Sequence, residues 1–342
     1  MLKRSILITG GAGFIGSNYI NYIAKQDGRD RLINLDKLTY AAELSNVELV
    51  DSSETEYHFV QGDICNYELV EEIFTKHEID TVIHFAAESH VDNSIENPRA
   101  FIDTNIVGTY VLLQVAYKYW MSEPNRLKSG LENARFVHIS TDEVYGSLGE
   151  EGFFTENTAY APNSPYSASK ASADMLARSY FHTYGLPVVT TNCSNNYGPR
   201  QHDEKLIPTI IRKALTEEQI PIYGDGKNIR DWLFVEDHCR GIELALHKGT
   251  LGETYVIGGN NERENLYIAN KICEILDTLR PRENAISYKD LITYVTDRPG
   301  HDFRYAIDAS KIENDLGWKA LENFESGIEK TVRWYLEKYT NR

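Results

Sequence analysis

The sequence predicts an α/β fold in which helices cover both faces of a doubly wound parallel sheet. Short strands rich in β-branched residues alternate with helical stretches over the first half of the chain. The first of these strands, residues 5–9, enters a glycine-rich turn, TGGAGFIG, that opens a helix. After about residue 195, turns rich in glycine, proline and asparagine indicate a smaller C-terminal α/β region.

The individual elements follow from hydrophobic periodicity. The predicted strands are residues 5–9, 31–35, 57–60, 81–85, 135–140 and 187–192. The predicted helices are residues 15–26, 67–76, 100–119 and 167–184. We expect residues 1–194 to form a first domain, and residues 195–342 to form a second one with shorter elements, some of which pack back on the first. No repeat or flexible linker separates the two in the sequence, so we expect a rigid pair.

The composition argues against several classes of function. The chain has 342 residues, of which 42% are apolar and 11% aromatic, enough for a large core. A formal net charge of −16 opposes binding to nucleic acid or to an anionic membrane, because the long-range field repels phosphate groups. An anionic small ligand then requires a local cluster of arginine and lysine.

The cysteines and the N-terminus give no sign of a metal site or of export. Cys65, Cys193, Cys239 and Cys273 lie far apart and match no ligand spacing. We therefore predict free thiols, no metal and a cytoplasmic location. The apolar run after the first basic residues is too short for a signal sequence, so we expect neither a targeting segment nor a membrane span.

The glycine turn is the first motif with chemical content. Gly10 permits a tight turn, Gly13 lets a pyrophosphate approach the helix N-terminus, and Gly16 lets the helix pack close to the sheet. Asp36 ends the second strand, where an acid accepts from both ribose hydroxyls and repels a 2′-phosphate. Asp63 ends the third strand and can hold an adenine amino group. These residues predict an NAD-binding Rossmann fold; a plain glycine turn and a helix-capping Asp36 are the alternatives.

Tyr166 and Lys170 stand four residues apart at the start of a helix, a spacing that puts both side chains on one face. The ammonium and the positive nicotinamide ring are expected to lower the phenol pKa from about 10, so that the phenol can take a hydroxyl proton. Alone, such a pair more often consists of exposed surface residues without a catalytic role. After a glycine turn and a strand that ends in Ser140 and Thr141, it resembles the extended short-chain dehydrogenase/reductase family. The resemblance implies that Tyr166 is the base, Lys170 binds the nicotinamide ribose and Thr141 holds the substrate hydroxyl.

Two adjacent carboxylates, Asp142 and Glu143, follow that strand. Buried charges are costly unless something uses them, and mutual repulsion leaves one carboxyl ionised and the other protonated. Oxidation of a hydroxyl by NAD acidifies the neighbouring C–H, so that Glu143 as base and Asp142 as acid can eliminate water before the hydride returns. This predicts an NAD that is tightly bound and recycled. The alternative is that both are turn acids that cap the next segment.

The similarity extends over nearly the whole chain. Eight segments follow one another in the order found in nucleotide-sugar 4,6-dehydratases: LDKLTYA, HFAAESHVDNSI, STDEVYG, YSASKA, NCSNNYGP, EKLIP, IYGDGKNIRDWLFVEDH and DRPGHD. The resemblance implies a hydro-lyase that converts dTDP-glucose to dTDP-4-keto-6-deoxyglucose, for rhamnose or another deoxysugar of a surface polysaccharide. The motif order favours thymidine, whereas the physical argument alone leaves the base open.

The resemblance also implies two sets of contact residues. The cofactor set is Gly10, Gly13, Phe14, Ile15, Gly16, Asp36, Lys37, Thr39, Asp63, Ile64, Phe85, Ala86, Ala87, Ser89, Thr104, Ser140, Tyr166, Lys170 and Asn196. The substrate set is Ser89, Thr141, Asn195, Lys205, Leu206, Pro221, Tyr223, Arg230, Asn265, Arg298 and His301.

Three cations of the substrate set carry a physical argument of their own. Arg230 and Arg298 supply fork-shaped donors for a diphosphate and Lys205 supplies a point charge. They provide the local positive charge that an acidic chain requires to bind an anionic ligand. Tyr223 and His301, in neighbouring loops, can stack on a base or bond a phosphate. Each cation alone is more often a solvated surface charge.

The sequence departs from the family at two places. Asn93 stands where arginine is usual after HVD, and RQHD, residues 200–203, replaces the usual aromatic and proline. Asn93 cannot form an ion pair, and Arg200 and Arg99 are the candidates to compensate for it. His90, in the same segment as Asn93, is assigned no catalytic role.

The helices predicted at 100–119 and 167–184 are more apolar than one buried stripe requires. We therefore expect a homodimer with a four-helix contact; packing inside one subunit is the alternative.

Rival functions require fewer of these residues. A nucleotide-sugar 4-epimerase or a uronate decarboxylase needs Tyr166 and Lys170 but not both acids. A non-enzymatic NAD-sensing regulator needs none of the four. A dehydratase of a CDP-, GDP- or UDP-sugar shares the chemistry and differs only in its base pocket.

Overall fold

The computed structural model describes residues 4–26, 30–49, 55–283, 285–297 and 300–340. Its strands are β1 (Ser5–Thr9), β2 (Arg31–Asp36), β3 (Glu56–Gln61), β4 (Thr81–His84), β5 (Met121–Glu123), β6 (Arg126–Leu127), β7 (Arg135–Thr141), β8 (Val188–Cys193), β9 (Asn195–Tyr197), β10 (Ile220–Tyr223), β11 (Ile229–Phe234), β12 (Thr254–Ile257), β13 (Glu262–Glu264) and β14 (Ile292–Val295).

The helices are α1 (Phe14–Ala24), α2 (Tyr67–His77), α3 (Val91–Glu96), α4 (Pro98–Phe101), α5 (Thr109–Trp120), α6 (Pro165–Tyr184), α7 (Leu206–Leu215), α8 (Val235–Lys248), α9 (Asn265–Leu279), α10 (Ser310–Leu316) and α11 (Phe324–Thr340). A π-helical segment, Ile102–Gly108, joins α4 to α5. Short 3₁₀ turns are formed by Leu44–Asn46, Asp142–Tyr145 and Tyr288–Leu291.

Seven parallel strands form the central sheet, in the order β12-β8-β7-β4-β1-β2-β3. From β1 the chain builds outwards first on one side and then, from β4, on the other, so that the strand order reverses between these two strands. The predicted doubly wound α/β fold is thereby confirmed. The carboxyl ends of β1, β2, β4 and β7 meet at one edge of the sheet.

Both faces of the sheet are buried, as the alternation of side chains along β1 illustrates. Leu7 belongs to a core cluster with residues of α2, α5 and α6. Ile6 and Ile8 belong to a second cluster on the other face, with residues of α1 and α8. A parallel sheet needs this cover on each side, which explains why its strands are apolar almost throughout.

The helix predicted at 100–119 differs from the observed one in its first half, where the wider π form replaces the α form. The Asn105 side chain accepts from the Glu88 amide (2.9 Å) and donates to Ser169 Oγ (2.8 Å). These tertiary contacts accompany the change from the α form to the π form. Hydrophobic periodicity could not predict them, because it depends only on the local sequence. Single π turns often mark functional sites, and this one contains Thr104, a residue of the cofactor set.

The C-terminal region has a core of its own, in which α7, α9 and α11 pack through apolar residues such as Ile210, Ile272 and Val332. The expectation of shorter elements there is wrong, because α8, α9 and α11 have 14, 15 and 17 residues. Several of its elements pack on the first region: β12 pairs with β8 at the sheet edge, α8 covers one sheet face, and α10 shares a core cluster with residues of α6 and β8.

Within the described ranges, no helix is long and apolar enough to cross a membrane. The same ranges contain no group of three or more histidine, cysteine, aspartate or glutamate side chains placed to hold a metal ion. All four cysteines are free thiols.

Candidate active site

A cavity opens at the carboxyl ends of β1, β2, β4 and β7, the edge where doubly wound sheets bind ligands. Every residue of the predicted cofactor set lines this cavity, from the glycine turn to Asn196. The five predicted catalytic residues line it as well: Thr141, Asp142, Glu143, Tyr166 and Lys170. The fold therefore brings motifs that are far apart in the sequence into one site.

The glycine turn between β1 and α1 is tightly packed. Gly10 has a φ of +73°, and a Cβ there would lie 2.7 Å from the Ala86 nitrogen. A Cβ on Gly16 would lie 2.3 Å from the Gly10 carbonyl oxygen. Only glycine fits either position, because one requires the left-handed region and both lack space. The turn consequently holds the N-terminus of α1 at the cavity.

Two carboxylates follow strands β2 and β3 at the same edge. Asp36 is buried and accepts from the Ala12 amide (2.9 Å) and the Leu38 amide (2.8 Å), which fixes it against the glycine turn. Asp63 forms an ion pair with Lys37 (2.7 Å). Burial works against ionisation of Asp63, but the Lys37 ammonium and the Cys65 amide outweigh it and lower the pKa of Asp63.

Helix α6 carries the tyrosine and the lysine. Ser164 caps this helix by accepting from the Ser167 amide (3.1 Å). Tyr166 and Lys170 then lie one turn apart on its buried face. The Lys170 ammonium donates to the Ile139 carbonyl of β7 (2.7 Å), which ties α6 to the sheet at the cavity floor.

The electrostatics of this pair differ from the sequence-based expectation. Burial and then the charge of Glu143 raise the pKa of Tyr166 well above its ordinary value, while the Thr141 hydroxyl opposes the shift. Burial lowers the pKa of Lys170, and Asp174 and Cys193 oppose that change. The protein groups together thus shift the phenol pKa upwards. The lowering expected from the sequence therefore depends on the cationic ring of the cofactor.

The acid pair lies in the 3₁₀ turn Asp142–Tyr145. The Thr141 hydroxyl caps this turn by accepting from the Glu143 amide (3.3 Å), so the threonine, not the acids, is the cap. Asp142 is 1% exposed, and its Oδ1 accepts from the Thr141 hydroxyl (3.3 Å). Its Oδ2 has no hydrogen-bond partner among the described residues. Burial and the charges of Glu143 and Asp231 raise the pKa of Asp142 well above its ordinary value.

The predicted substrate set divides into two groups. Four of its members line the cavity: Ser89, Thr141, Asn195 and Lys205. Six do not: Leu206, Pro221, Tyr223, Arg230, Asn265 and His301. Arg298 lies outside the described residues.

Within the second group, Tyr223 and His301 are neighbours, with ring centres 6.3 Å apart in an edge-to-face contact. Arg230 is buried and stacks over the Tyr305 ring at 4.1 Å. Its guanidinium donates to the Asp302 carbonyl (2.9 Å). The Arg230 charge also opposes the rise in the pKa of Asp142.

Of the two departures from the family, the segment 200–203 contributes Gln201 and His202 to the cavity lining, whereas Asn93 is not a lining residue. The Asn93 side chain donates to the Tyr40 hydroxyl (3.2 Å), which in turn donates to Glu204 (3.4 Å). Arg200 forms an ion pair with Glu48, and Arg99 pairs with a carboxylate of its own helical segment. Two hydrogen bonds therefore connect Asn93 to Glu204 through the Tyr40 hydroxyl. His90 caps α3.

Sequence reasoning missed several residues that line the cavity. They are Leu35, Ala41, Ala42, Gly62, Ile139, Cys193, Ser194, Gln201, His202 and Glu204. Leu35, Gly62, Ile139 and Ser194 adjoin a predicted residue at a strand end and could have been included by that rule. Glu88 lies within the stretch from Phe85 to Ser89 that the resemblance assigns to the cofactor, and Glu204 begins the EKLIP segment. Burial and the charge of Glu204 raise the pKa of Glu88.

The fold and the cavity are those of a dinucleotide-binding Rossmann enzyme, and comparison with known proteins identifies the family. The model of a family described as GDP-mannose 4,6 dehydratase matches residues 7–331. A dTDP-glucose 4,6-dehydratase of Xanthomonas campestris pv. campestris (strain B100) is 54% identical over 334 residues, covering 98% of this chain and 93% of the relative. The chain therefore belongs to the nucleotide-sugar dehydratase family that this model describes.

Solved structures agree with this result. The dTDP-glucose 4,6-dehydratase of Bacillus anthracis str. Ames, in complex with NAD, is 45% identical, with a TM-score of 0.84 and 98% of each chain covered. The dTDP-glucose 4,6-dehydratase of Streptomyces venezuelae, with NAD bound, is 43% identical, with a TM-score of 0.85 and again 98% of each chain covered. The predicted Rossmann fold and the resemblance to the dehydratases are confirmed.

Proposed function

We propose that this protein is an NAD-dependent dTDP-glucose 4,6-dehydratase, which converts dTDP-glucose to dTDP-4-keto-6-deoxyglucose and water. One observation carries the chemical part of this proposal: a buried acid, Asp142, adjoins a second carboxyl, Glu143, in the cavity that holds Tyr166 and Lys170. A simple dehydrogenase or an epimerase has no use for the two acids. The substrate follows from relatives that share more than half of the sequence.

The cavity suits NAD. Around Gly13, a Cβ would come within 4 Å of nothing but the Gly10 carbonyl oxygen, so the start of α1 has room for a pyrophosphate. Asp36 is held in place at the end of β2, where it can accept from ribose hydroxyls and disfavour a 2′-phosphate. Bound in this cavity, NAD supplies the oxidation at C4 of the sugar and the later reduction at C6.

Three side chains handle the C4 hydroxyl in this proposal. Thr141 orients it, and Tyr166 accepts its proton. Lys170 binds the nicotinamide ribose and favours the phenolate, because an ammonium stabilises a nearby negative charge. Since burial raises the pKa of Tyr166, the phenolate forms readily only when positive charge is close to it.

The acid pair eliminates water. Oxidation at C4 makes the C5 proton acidic, and Glu143 removes it. Asp142 donates a proton to the leaving hydroxyl at C6. The raised pKa of Asp142 supports the assignment of Asp142 as the acid and Glu143 as the base, because an acid must hold its proton at the pH of the reaction.

For substrate binding, we propose that residues 1–194 mainly bind NAD and residues 195–342 mainly bind the nucleotide sugar. The support is the position of Asn195 and Lys205 in the cavity lining. The neighbouring contact between Tyr223 and His301 forms a second polar and aromatic surface in the C-terminal region. Leu206, Pro221, Arg230, Asn265 and Arg298 complete the proposed set.

The proposed setting is a cytoplasmic homodimer that supplies deoxysugar, such as rhamnose, for polysaccharide synthesis. The dimer is supported by large apolar side chains exposed on the two long helical segments: Ile102, Val107, Tyr110 and Met175. Val107→Asp should convert the dimer to a monomer in light-scattering measurements. Leu321→Asp, at a residue that is 74% exposed elsewhere on the surface, should leave the mass unchanged.

The function is tested by incubating the purified protein with dTDP-glucose and catalytic NAD. We expect a product lighter by one water, with the alkali-induced absorbance of a 4-keto-6-deoxy sugar and no net NADH. A product of unchanged mass would indicate an epimerase, and accumulation of NADH a simple dehydrogenase. CDP-, GDP- and UDP-glucose assayed in parallel should give a lower kcat/KM; a higher value for any of them would reassign the nucleotide.

A further inference from the structure

A buried carboxylate on α6, Asp174, has no part in the reaction described so far. It lies one turn beyond Lys170 and is 4% exposed. Four side chains donate to it, a number unusual for one carboxylate. They are His138 Nε2 (2.9 Å), Ser140 Oγ (2.8 Å), the Tyr160 hydroxyl (2.9 Å) and Asn192 Nδ2 (3.2 Å).

These bonds converge on the end of β7. Ser140 is the residue before Thr141, and its hydroxyl is held by Asp174. Asn192 of β8 donates both to Asp174 and to the Thr141 carbonyl (3.1 Å). The carboxylate therefore links α6, β7 and β8 at the point where β7 delivers Thr141 and the acid pair to the cavity. The bonds from His138, Ser140 and Asn192 join these elements through one buried residue.

Asp174 also acts on a buried cation four residues earlier in α6, because its charge opposes the lowering of the pKa of Lys170. The Lys170 ammonium is 4% exposed and donates to one backbone carbonyl. The titratable groups that interact with it electrostatically come from four elements: Asp174 of α6, Cys193 of β8, His138 of β7 and His84 of β4. Burial holds the imidazoles of His84 and His138 in their neutral form by lowering the pKa of each. Asp174 is the carboxylate of this set.

We propose that Asp174 is a positioning residue that keeps Lys170 positively charged and holds the end of β7 in register with the cavity. This inference rests on the proposed function. A buried ammonium loses much of its hydration and needs a nearby negative charge to remain protonated. The other groups around Lys170 do not supply that charge, because the imidazoles are neutral and burial also keeps Cys193 and Tyr166 protonated by raising the pKa of each.

The test compares Asp174→Asn with Tyr160→Phe in the NAD-loaded protein. Tyr160→Phe removes one of the four donors and leaves the charge, whereas Asp174→Asn removes the charge and leaves the size. Activity should fall at alkaline pH as Lys170 loses its proton. In Asp174→Asn this fall should begin at a pH lower by about one unit or more, and in Tyr160→Phe it should stay where it is in the wild type.

A second readout does not depend on turnover. The ¹⁵N chemical shift of the Lys170 Nζ, assigned by its loss in Lys170→Met, reports its protonation directly. It should titrate at lower pH in Asp174→Asn than in the wild type. Equal titration in the two proteins would overturn the proposal. If Asp174→Asn does not fold, the wild-type protein still tests the proposal. A Lys170 amine that is neutral at pH 7 in the wild type would refute the proposed role of Asp174. A wild-type protein that titrates as expected but does not dehydrate dTDP-glucose would refute the proposed function alone.

Discussion

Replacing Asp142 by asparagine removes a proton donor while keeping the size of the side chain. If Asp142 protonates the leaving hydroxyl, kcat for dehydration should fall about 10²- to 10⁴-fold, the usual contribution of a general acid. This corresponds to about 3–5 kcal/mol of activation free energy. Removal of the C5 proton by Glu143 does not require Asp142, so exchange of that proton with solvent deuterium should persist in the variant.

The same substitution should stabilise the fold at neutral pH. The folded-state pKa of Asp142 is raised above its unfolded value, so the folded protein holds this proton more strongly than the unfolded chain. The free energy of unfolding contributed by Asp142 therefore falls as pH rises from about 4 through the folded-state pKa, by about 1.4 kcal/mol for each unit of difference. Asparagine does not titrate, so the variant should be the more stable protein at pH 7 and lose that advantage below about pH 4.

Two assays check this pair of effects. Product formation from dTDP-glucose gives kcat, and urea unfolding between pH 4 and 8 gives the free energy of unfolding. Asp315→Asn, at an exposed residue of α10, is the matched control and should change neither quantity. A kcat within tenfold of the wild type would refute the role of Asp142 as the acid. A loss of stability at pH 7 would refute the assignment of a raised pKa.

Three further predictions concern other parts of the site. Glu143→Gln should abolish exchange of the C5 proton with solvent deuterium, measured by mass spectrometry of recovered substrate; exchange at the wild-type rate would rule out Glu143 as the base. Gly10→Ala should lower the free energy of unfolding by more than Gly130→Ala, because both have φ above +70° but only Gly10 also meets backbone atoms, at 2.7 Å; left-handed strain alone costs about 1–2 kcal/mol. Burial lowers the pKa of His238 to about 3, so the unfolded chain binds its proton first and stability should fall by about 1.4 kcal/mol per unit as pH drops from about 6.5 towards 3; His238→Gln should remove this slope in urea unfolding, and an unchanged slope would contradict it.

The sequence was sufficient to predict which residues of the cofactor set line the cavity, because the motifs that identify them are local. A glycine turn after a strand, an acid at the end of the next strand and a tyrosine four residues before a lysine each constrain only a short segment. Parallel pairing then collects the strand ends at one edge. Residues such as Gly10 and Asp36 could therefore be assigned to one cavity before their contacts were known.

The surroundings of the substrate set were harder to predict from the sequence, since they depend on how the loops of the C-terminal region pack. Arg230 illustrates this. The sequence marks it as a cation in a glycine-rich loop, which suggests an exposed phosphate ligand. In the structure it is buried, stacks on Tyr305 and acts electrostatically on Asp142. Its partners are distant in the sequence, so no local pattern could reveal them. The pairing of β12 with β8 has the same long-range origin.

The two buried acids, Asp142 and Asp174, show why residue type and burial do not define a role. Asp142 acts electrostatically on Tyr166 and Asp174 acts on Lys170, and the two acids are 1% and 4% exposed. Asp174 receives four side-chain donors within 3.2 Å, an arrangement that stabilises a carboxylate. Asp142 receives one donor at 3.3 Å and faces Glu143, an arrangement that favours the protonated form. The hydrogen bonds around each carboxyl, which only the folded chain determines, are therefore what distinguishes the proposed positioning residue from the proposed acid.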